Sequence, residues 1–257
     1  MRYLKDIWHD HEDRVIEAIL EGLNILRSEG LIRLNVIIAD ERDKRQIEDK
    51  INRELLFCLH RANKRLLQEG RGINSDPQYE QRNQPNEQEI SPPPPDYKRV
   101  DIRWGHFDVL AALNTEGQGE KYFCIECKRL GSKIPSGRLN PKYIENGILR
   151  FTSEGHRYGQ HVQSGAMIGY LEDMTCEEIF QEVNTAIDQV EETLPPQTKI
   201  SPLLSPQTGW QDNAISRLTH QLERPFLKSP FTLWHFWLDL RNCYPRTRKM
   251  LIEGANQ

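Results

Sequence analysis

Apolar and polar positions follow two periods along this chain, and the changes between them predict its elements. From about residue 10 to 29, Val15, Ala18, Ile19, Gly22, Leu23 and Leu26 recur on one stripe, which predicts an amphipathic helix stopped at Gly30. The β-branched run "LIRLNVIIAD" predicts a strand. The helical period returns over about 45–69, with Glu48, Ile51, Leu55, Leu59, Ala62 and Leu66 on one stripe ahead of Gly70 and Gly72. Glu48 therefore lies on the core-facing side of its helix, whereas Glu54 falls off the stripe and is expected in solvent.

Period two takes over after residue 98. "RVDIRW", "FDVLAAL" and, past the turn-like "NTEGQGE", "YFCIECKRL" read as three successive strands. "LNPKYIENGILRF" predicts a helix with Asn140 as N-cap and Pro141 in its first turn. "GAMIGYL" reads as a short buried strand, and "CEEIFQEVNTAIDQVEETL" as an amphipathic helix ending before Pro195. "PQTKISPLLSPQTGWQDN" reads as a loop. "FTLWHFWLDL" is apolar on both alternating faces, the pattern of a core strand.

Between the two regions, about residues 73–97, the chain is polar and holds four consecutive prolines. Such a segment has little apolar surface to offset the entropy of ordering it, so an extended loop is expected. It interrupts one domain rather than dividing two. The expected organisation is a helical extension over about 1–44, a core over about 45–175, and a terminal strand over about 230–241 that completes it. The fold class is α/β with a mixed central sheet.

Composition narrows this picture only modestly. The 257 residues are 28% charged and 37% hydrophobic, with a formal net charge of -4. That profile suits a cytoplasmic protein with no membrane partner, and gives no global basic signature. The start "MRYLKDIWHDHEDR" is too charged for a secretory leader. Five cysteines suggest no disulfide framework. Cys124 and Cys127 form a lone CxxC, but on a strand they point to opposite faces and cannot share one metal ion. His9 and His11 are expected at the surface.

One strand carries the candidate chemistry. Alternation puts Cys124, Glu126 and Lys128 on one face of "YFCIECKRL", and Phe123, Ile125 and Cys127 on the other. The second face accounts for burial, which leaves a carboxylate and an ammonium side by side on the first. A hard cation held there needs a second carboxylate. If Leu113 pairs with Lys121 across the turn, Asp108 lies opposite Glu126, although a one-residue slip reverses the face. Asp101, in "VDIRW", is the other candidate.

Taken in order, these features resemble the PD-(D/E)XK nuclease superfamily: a helix with Glu48, an aspartate, then Glu126-x-Lys128 on the next strand, then a helix and a strand. The resemblance spans about Glu48 to Tyr170. The stretches "ECKRLG", "LNPKYIENGILRF", "YG" and "GAMIGY" look like a bacterial, defence-associated subgroup of restriction-endonuclease-like proteins. Its aspartate strand tends to read "ADFxW", which maps onto "VDIRW" and favours Asp101 over Asp108. Valine stands where the superfamily pattern has proline.

The resemblance implies a restriction-endonuclease-like core: helix, three-stranded antiparallel meander, helix, strand. It further implies Mg2+, replaceable by Mn2+, on Asp101 and Glu126, with Lys128 and Glu48 completing the catalytic set. The expected partner is nucleic acid, DNA rather than RNA, and a homodimer or a defence-system protein is a further expected partner. Arg150 and Tyr143, on the following helix, are candidate phosphate contacts if that helix docks beside the site, since guanidinium binds phosphate in bidentate fashion. The alternative is that Tyr143 packs in the core with Phe151 and Arg150 faces solvent.

Overall fold

The computed structural model describes residues 3–30, 34, 38, 47–82, 99–107, 119–134, 137–153, 155–194, 198–200, 205–212, 215–224 and 229–243. In order, the elements are α1 (Tyr3–Ser28), α2 (Ile47–Gln68), β1 (Pro77–Arg82), β2 (Arg99–Phe107) and β3 (Glu120–Leu130). A small ribbon follows, β4 (Lys133–Ile134) and β5 (Gly137–Arg138). Next come α3 (Leu139–Tyr143), a π-helical turn (Ile144–Ile148) and α4 (Leu149–Thr152). The remainder is β6 (Ser164–Leu171), α5 (Cys176–Glu191), β7 (Ser205–Asp212), β8 (Ile215–Leu222) and β9 (Phe231–Asp239).

Seven strands form one mixed sheet in the order β1-β2-β3-β6-β9-β8-β7. β3, β6 and β9 run parallel, and antiparallel pairs flank them on both sides. The class is therefore α/β, with helices on both faces. α1 and α2 cover one face, packing against Ile102, Phe123, Ile125, Cys127, Ile168 and Phe236. α3, the π turn, α4 and α5 cover the other, over Cys124, Leu130, Met167, Leu233 and Trp237. β6 is buried at every position, as a central strand between two helical layers must be.

Local chemistry explains much of this. Gly22 lets α1 approach α2 closely, because a Cβ there would lie 2.7 Å from Leu59 Cδ2. α5 starts at a capping box: the Thr175 hydroxyl accepts from Glu178 N, and the Glu178 carboxylate accepts from Thr175 N. Among the described residues no helix is long and apolar enough to cross a membrane.

Several expectations need correction. The polar stretch near 73–97 contains β1, which pairs with β2 and supplies one strand of the antiparallel meander. The meander is thus β1-β2-β3, and most of "FDVLAAL" lies outside the described residues. The loop expected before Asn213 contains β7, and β8 went unread. Within "LIRLNVIIAD" the two described residues, Leu34 and Ile38, are helical, and Leu34 N bonds Gly30 O at 2.9 Å. Their spacing of four was the helical signal that β-branching masked. The N-cap of α3 is Arg138, and Asn140 lies inside the helix, where its side chain joins Gly131 N to Glu182. His11 is buried at 6% exposure, not at the surface.

Candidate active site

The site forms where β2 and β3 part. Their ladder runs from Phe107 opposite Glu120 to Ile102 opposite Ile125. One further step places Asp101 opposite Glu126, and there the backbone pairing gives way to a side chain: Cys127 N donates to Asp101 Oδ2 at 2.8 Å. Two residues along β3, Arg129 N donates to Glu48 Oε2 of α2 at 3.1 Å. Carboxylates from β2 and α2 thus take up strand N–H groups that have no neighbouring strand to bond. This satisfies backbone donors and fixes both acids beside Glu126 and Lys128.

Lys128 is the hub. Its Nζ donates to Glu48 Oε1 at 3.0 Å and to the Cys127 carbonyl at 2.7 Å. It lies 2.8 Å from Glu126 Oε1 and 3.6 Å from Asp101 Oδ2. Four residues from three elements therefore meet around one ammonium. Arg150, from α4, donates to the same Glu126 Oε1. Glu126 Oε2 is buried and has no hydrogen-bond partner.

The helix that carries Arg150 is shaped to reach this point. Its π turn includes Gly147, where a Cβ would meet Met167 Cε at 2.3 Å and Lys128 Cγ at 3.6 Å. The missing side chain lets the turn lie against β3 and β6. π turns of this kind re-aim the residues that follow them. Beyond α4, the Tyr158 hydroxyl adjoins Arg150 and donates to Arg99 O at 2.8 Å, tying this loop to the start of β2.

The electrostatics follow from depth. The Glu126 side chain is fully buried, while Lys128, Arg150, Asp101 and Glu48 are 12%, 17%, 18% and 25% exposed. Burial first, and Asp101 second, push the Glu126 carboxyl up to about 8, against the pull of Lys128 and Arg150. Burial alone would lower Lys128, but Glu126, Asp101 and Glu48 reverse this and hold it well above its ordinary value. Lys128 is therefore a fixed positive charge, its ammonium taken up by Glu48, Glu126 and the Cys127 carbonyl.

Of the residues singled out from sequence, Glu48, Asp101, Glu126, Lys128 and Arg150 come together. Asp108 lies outside the described residues, and the register that favoured it does not hold, because Lys121 pairs with His106 rather than Leu113. Tyr143 is not at the cleft. It is fully buried, with its hydroxyl 2.7 Å from His235 Nδ1 and accepting from Trp237 Nε1 at 3.0 Å. A phosphate cannot reach it. Cys124 and Cys127 pack on opposite faces as buried free thiols.

Sequence reasoning missed the Cys127 carbonyl as a site oxygen and Tyr158 as a neighbour of Arg150. Neither leaves a sequence signal, since one is backbone and the other depends on a loop path.

Among the described residues no group of three or more His, Cys, Asp or Glu side chains is disposed to enclose a metal ion. The carboxylates of Asp101 and Glu126 are nevertheless ligands of the kind Mg2+ takes, since it keeps several waters and uses one or two protein carboxylates. The unpartnered Glu126 Oε2 is an oxygen of the right kind. No family model, curated protein or solved structure matches this chain.

Proposed function

We propose that this protein is a Mg2+-dependent nuclease of the PD-(D/E)XK type that hydrolyses phosphodiester bonds of DNA, within a restriction or antiphage defence setting. One observation carries the reading. Glu48, Asp101, Glu126 and Lys128, separated by up to 80 positions, converge at the parting of two strands with Lys128 Nζ 2.8–3.6 Å from all three acids. The order of elements around them, helix, antiparallel meander, helix and parallel strand, supports the same reading.

Asp101 and Glu126 would hold the ion, which would act as a Lewis acid toward the phosphate and the leaving oxygen. The chain's own groups have separate tasks. Lys128, held by Glu48, Glu126 and the Cys127 carbonyl, would supply a fixed positive charge that offsets charge building on the phosphate. Asp101 is fixed by Cys127 N, so its carboxylate arrives pre-oriented.

A second reading is a nuclease-fold subunit without activity that binds protein or nucleic acid. It is favoured by the two cations already on Glu126 Oε1. Incubating purified protein with plasmid, single-stranded DNA and RNA, with and without Mg2+, separates the two. The nuclease reading expects Mg2+-dependent cutting of DNA. No cutting of any substrate at any Mg2+ concentration sinks it.

A further inference from the structure

Glu126 carries an unequal load. Its Oε1 receives both Lys128 Nζ and Arg150 Nη1, whereas its Oε2, equally buried, receives nothing. The two cations are not held alike. Lys128 has Glu48, Asp101 and the Cys127 carbonyl as additional partners, so it stays in place whatever happens at Glu126. Among the described residues Arg150 has Glu126 as its one ion-pair partner, with the Tyr158 hydroxyl beside it. Of the two, Arg150 is the one free to change partner, and its planar fork of donors matches a phosphate.

Charge shows when it would do so. With every group ionised, the cleft holds three carboxylates (Glu48, Asp101, Glu126) and two cations (Lys128, Arg150). That is one negative charge in excess. A divalent ion entering alone leaves one positive charge in excess, and a phosphodiester entering alone leaves two negative. Entering together they leave none. Uncompensated charge in a water-poor cleft is costly, so each should favour the other.

We propose that Arg150 is a partner-switching residue: it stands on Glu126 in the free protein in competition with the divalent ion, and passes to a nucleic-acid phosphate when ion and substrate enter together. The inference rests on the nuclease reading and adds to it a mechanism by which metal loading waits for substrate. Arg150 occupies Glu126 Oε1 until a phosphate draws that arginine away.

The test is calorimetric titration of Ca2+ into the full chain, alone and with a short DNA or RNA duplex, whichever binds tighter. Ca2+ is the probe because its irregular coordination suits binding without turnover. For the parent, nucleic acid should tighten Ca2+ binding by about tenfold or more, a usual size for coupled sites. In Arg150→Gln, Ca2+ alone should bind more tightly than to the parent by a similar factor, and nucleic acid should add less than about threefold.

Ca2+ binding to Arg150→Gln no tighter than to the parent overturns the switch and leaves the nuclease reading standing. Absence of Ca2+ binding in both proteins, even with nucleic acid, removes the nuclease reading and the switch with it. Should Arg150→Gln fail to fold, Arg150→Lys decides, since it keeps the charge but loses the fork. Its coupling should fall between those two limits, and coupling equal to the parent's overturns the proposal.

Discussion

Asp101 Oδ2 accepts a hydrogen bond from the backbone N–H of Cys127, the residue between Glu126 and Lys128. Through this contact the aspartate substitutes for a strand. It ends the β2–β3 ladder and places a carboxylate opposite Glu126, without a separate loop to carry it. Glu48 repeats the device two residues on, at Arg129 N. The same backbone groups that would continue the sheet instead fix the acids of the site.

Glu48 should therefore matter as a positioning residue. Glu48→Ala removes an anchor of Lys128 and the acceptor for Arg129 N, and should lower kcat about tenfold to a hundredfold, the scale for outer partners of a metal site. Glu48→Gln keeps a neutral acceptor and should fall less. Steady-state cleavage kinetics check this, and equal rates for Glu48→Ala and parent would count against it.

Tyr143→Phe separates core from cleft. The hydroxyl joins His235 and Trp237, so its loss leaves buried polar atoms unpaired and should cost about 1–3 kcal/mol. Urea denaturation measures this. Cleavage below the melting temperature should be unchanged, since the Tyr143 hydroxyl bonds His235 and Trp237 rather than a residue of the site.

How far the sequence could be read depends on where the information sits. The face of β3 was legible because alternation is local, and Glu126 and Lys128 could not sit among Phe123, Ile125 and Cys127. β6 and β9 were legible as apolar runs, and α5 by its stripe. β1 and β7 were not, because they are outer strands recruited by backbone pairing, and their side chains are largely polar. The hairpin register also escaped. Alternation assigns faces but not partners, and the turn between β2 and β3 had to be guessed. The link from Arg150 to Glu126 depends on a π turn, which no pattern of side chains announces.

The buried Glu126 gives a pH signature. Its carboxyl is raised from the ordinary range to about 8, so the folded state binds its proton more tightly than the unfolded chain does. The resulting stability is fully present below about pH 4.3, the ordinary glutamate value. It is lost as pH rises toward 8. Glu126→Gln has no such proton to lose. Without divalent ions, its melting temperature relative to the parent should rise between acidic and mildly alkaline pH. A difference that does not change with pH would contradict the assignment.

The most direct measurement compares the parent with Lys128→Ala on DNA in Mg2+, after circular dichroism shows both folded. Lys128 gathers the three acids, and under the proposed function its charge would offset that building on the phosphate. Its loss should therefore reduce cleavage by about a hundredfold or more, as removal of one charge-stabilising group does elsewhere. Mg2+-dependent cutting by the parent, lost in Lys128→Ala, is the predicted result. A folded Lys128→Ala protein that cuts at the parental rate would contradict the account.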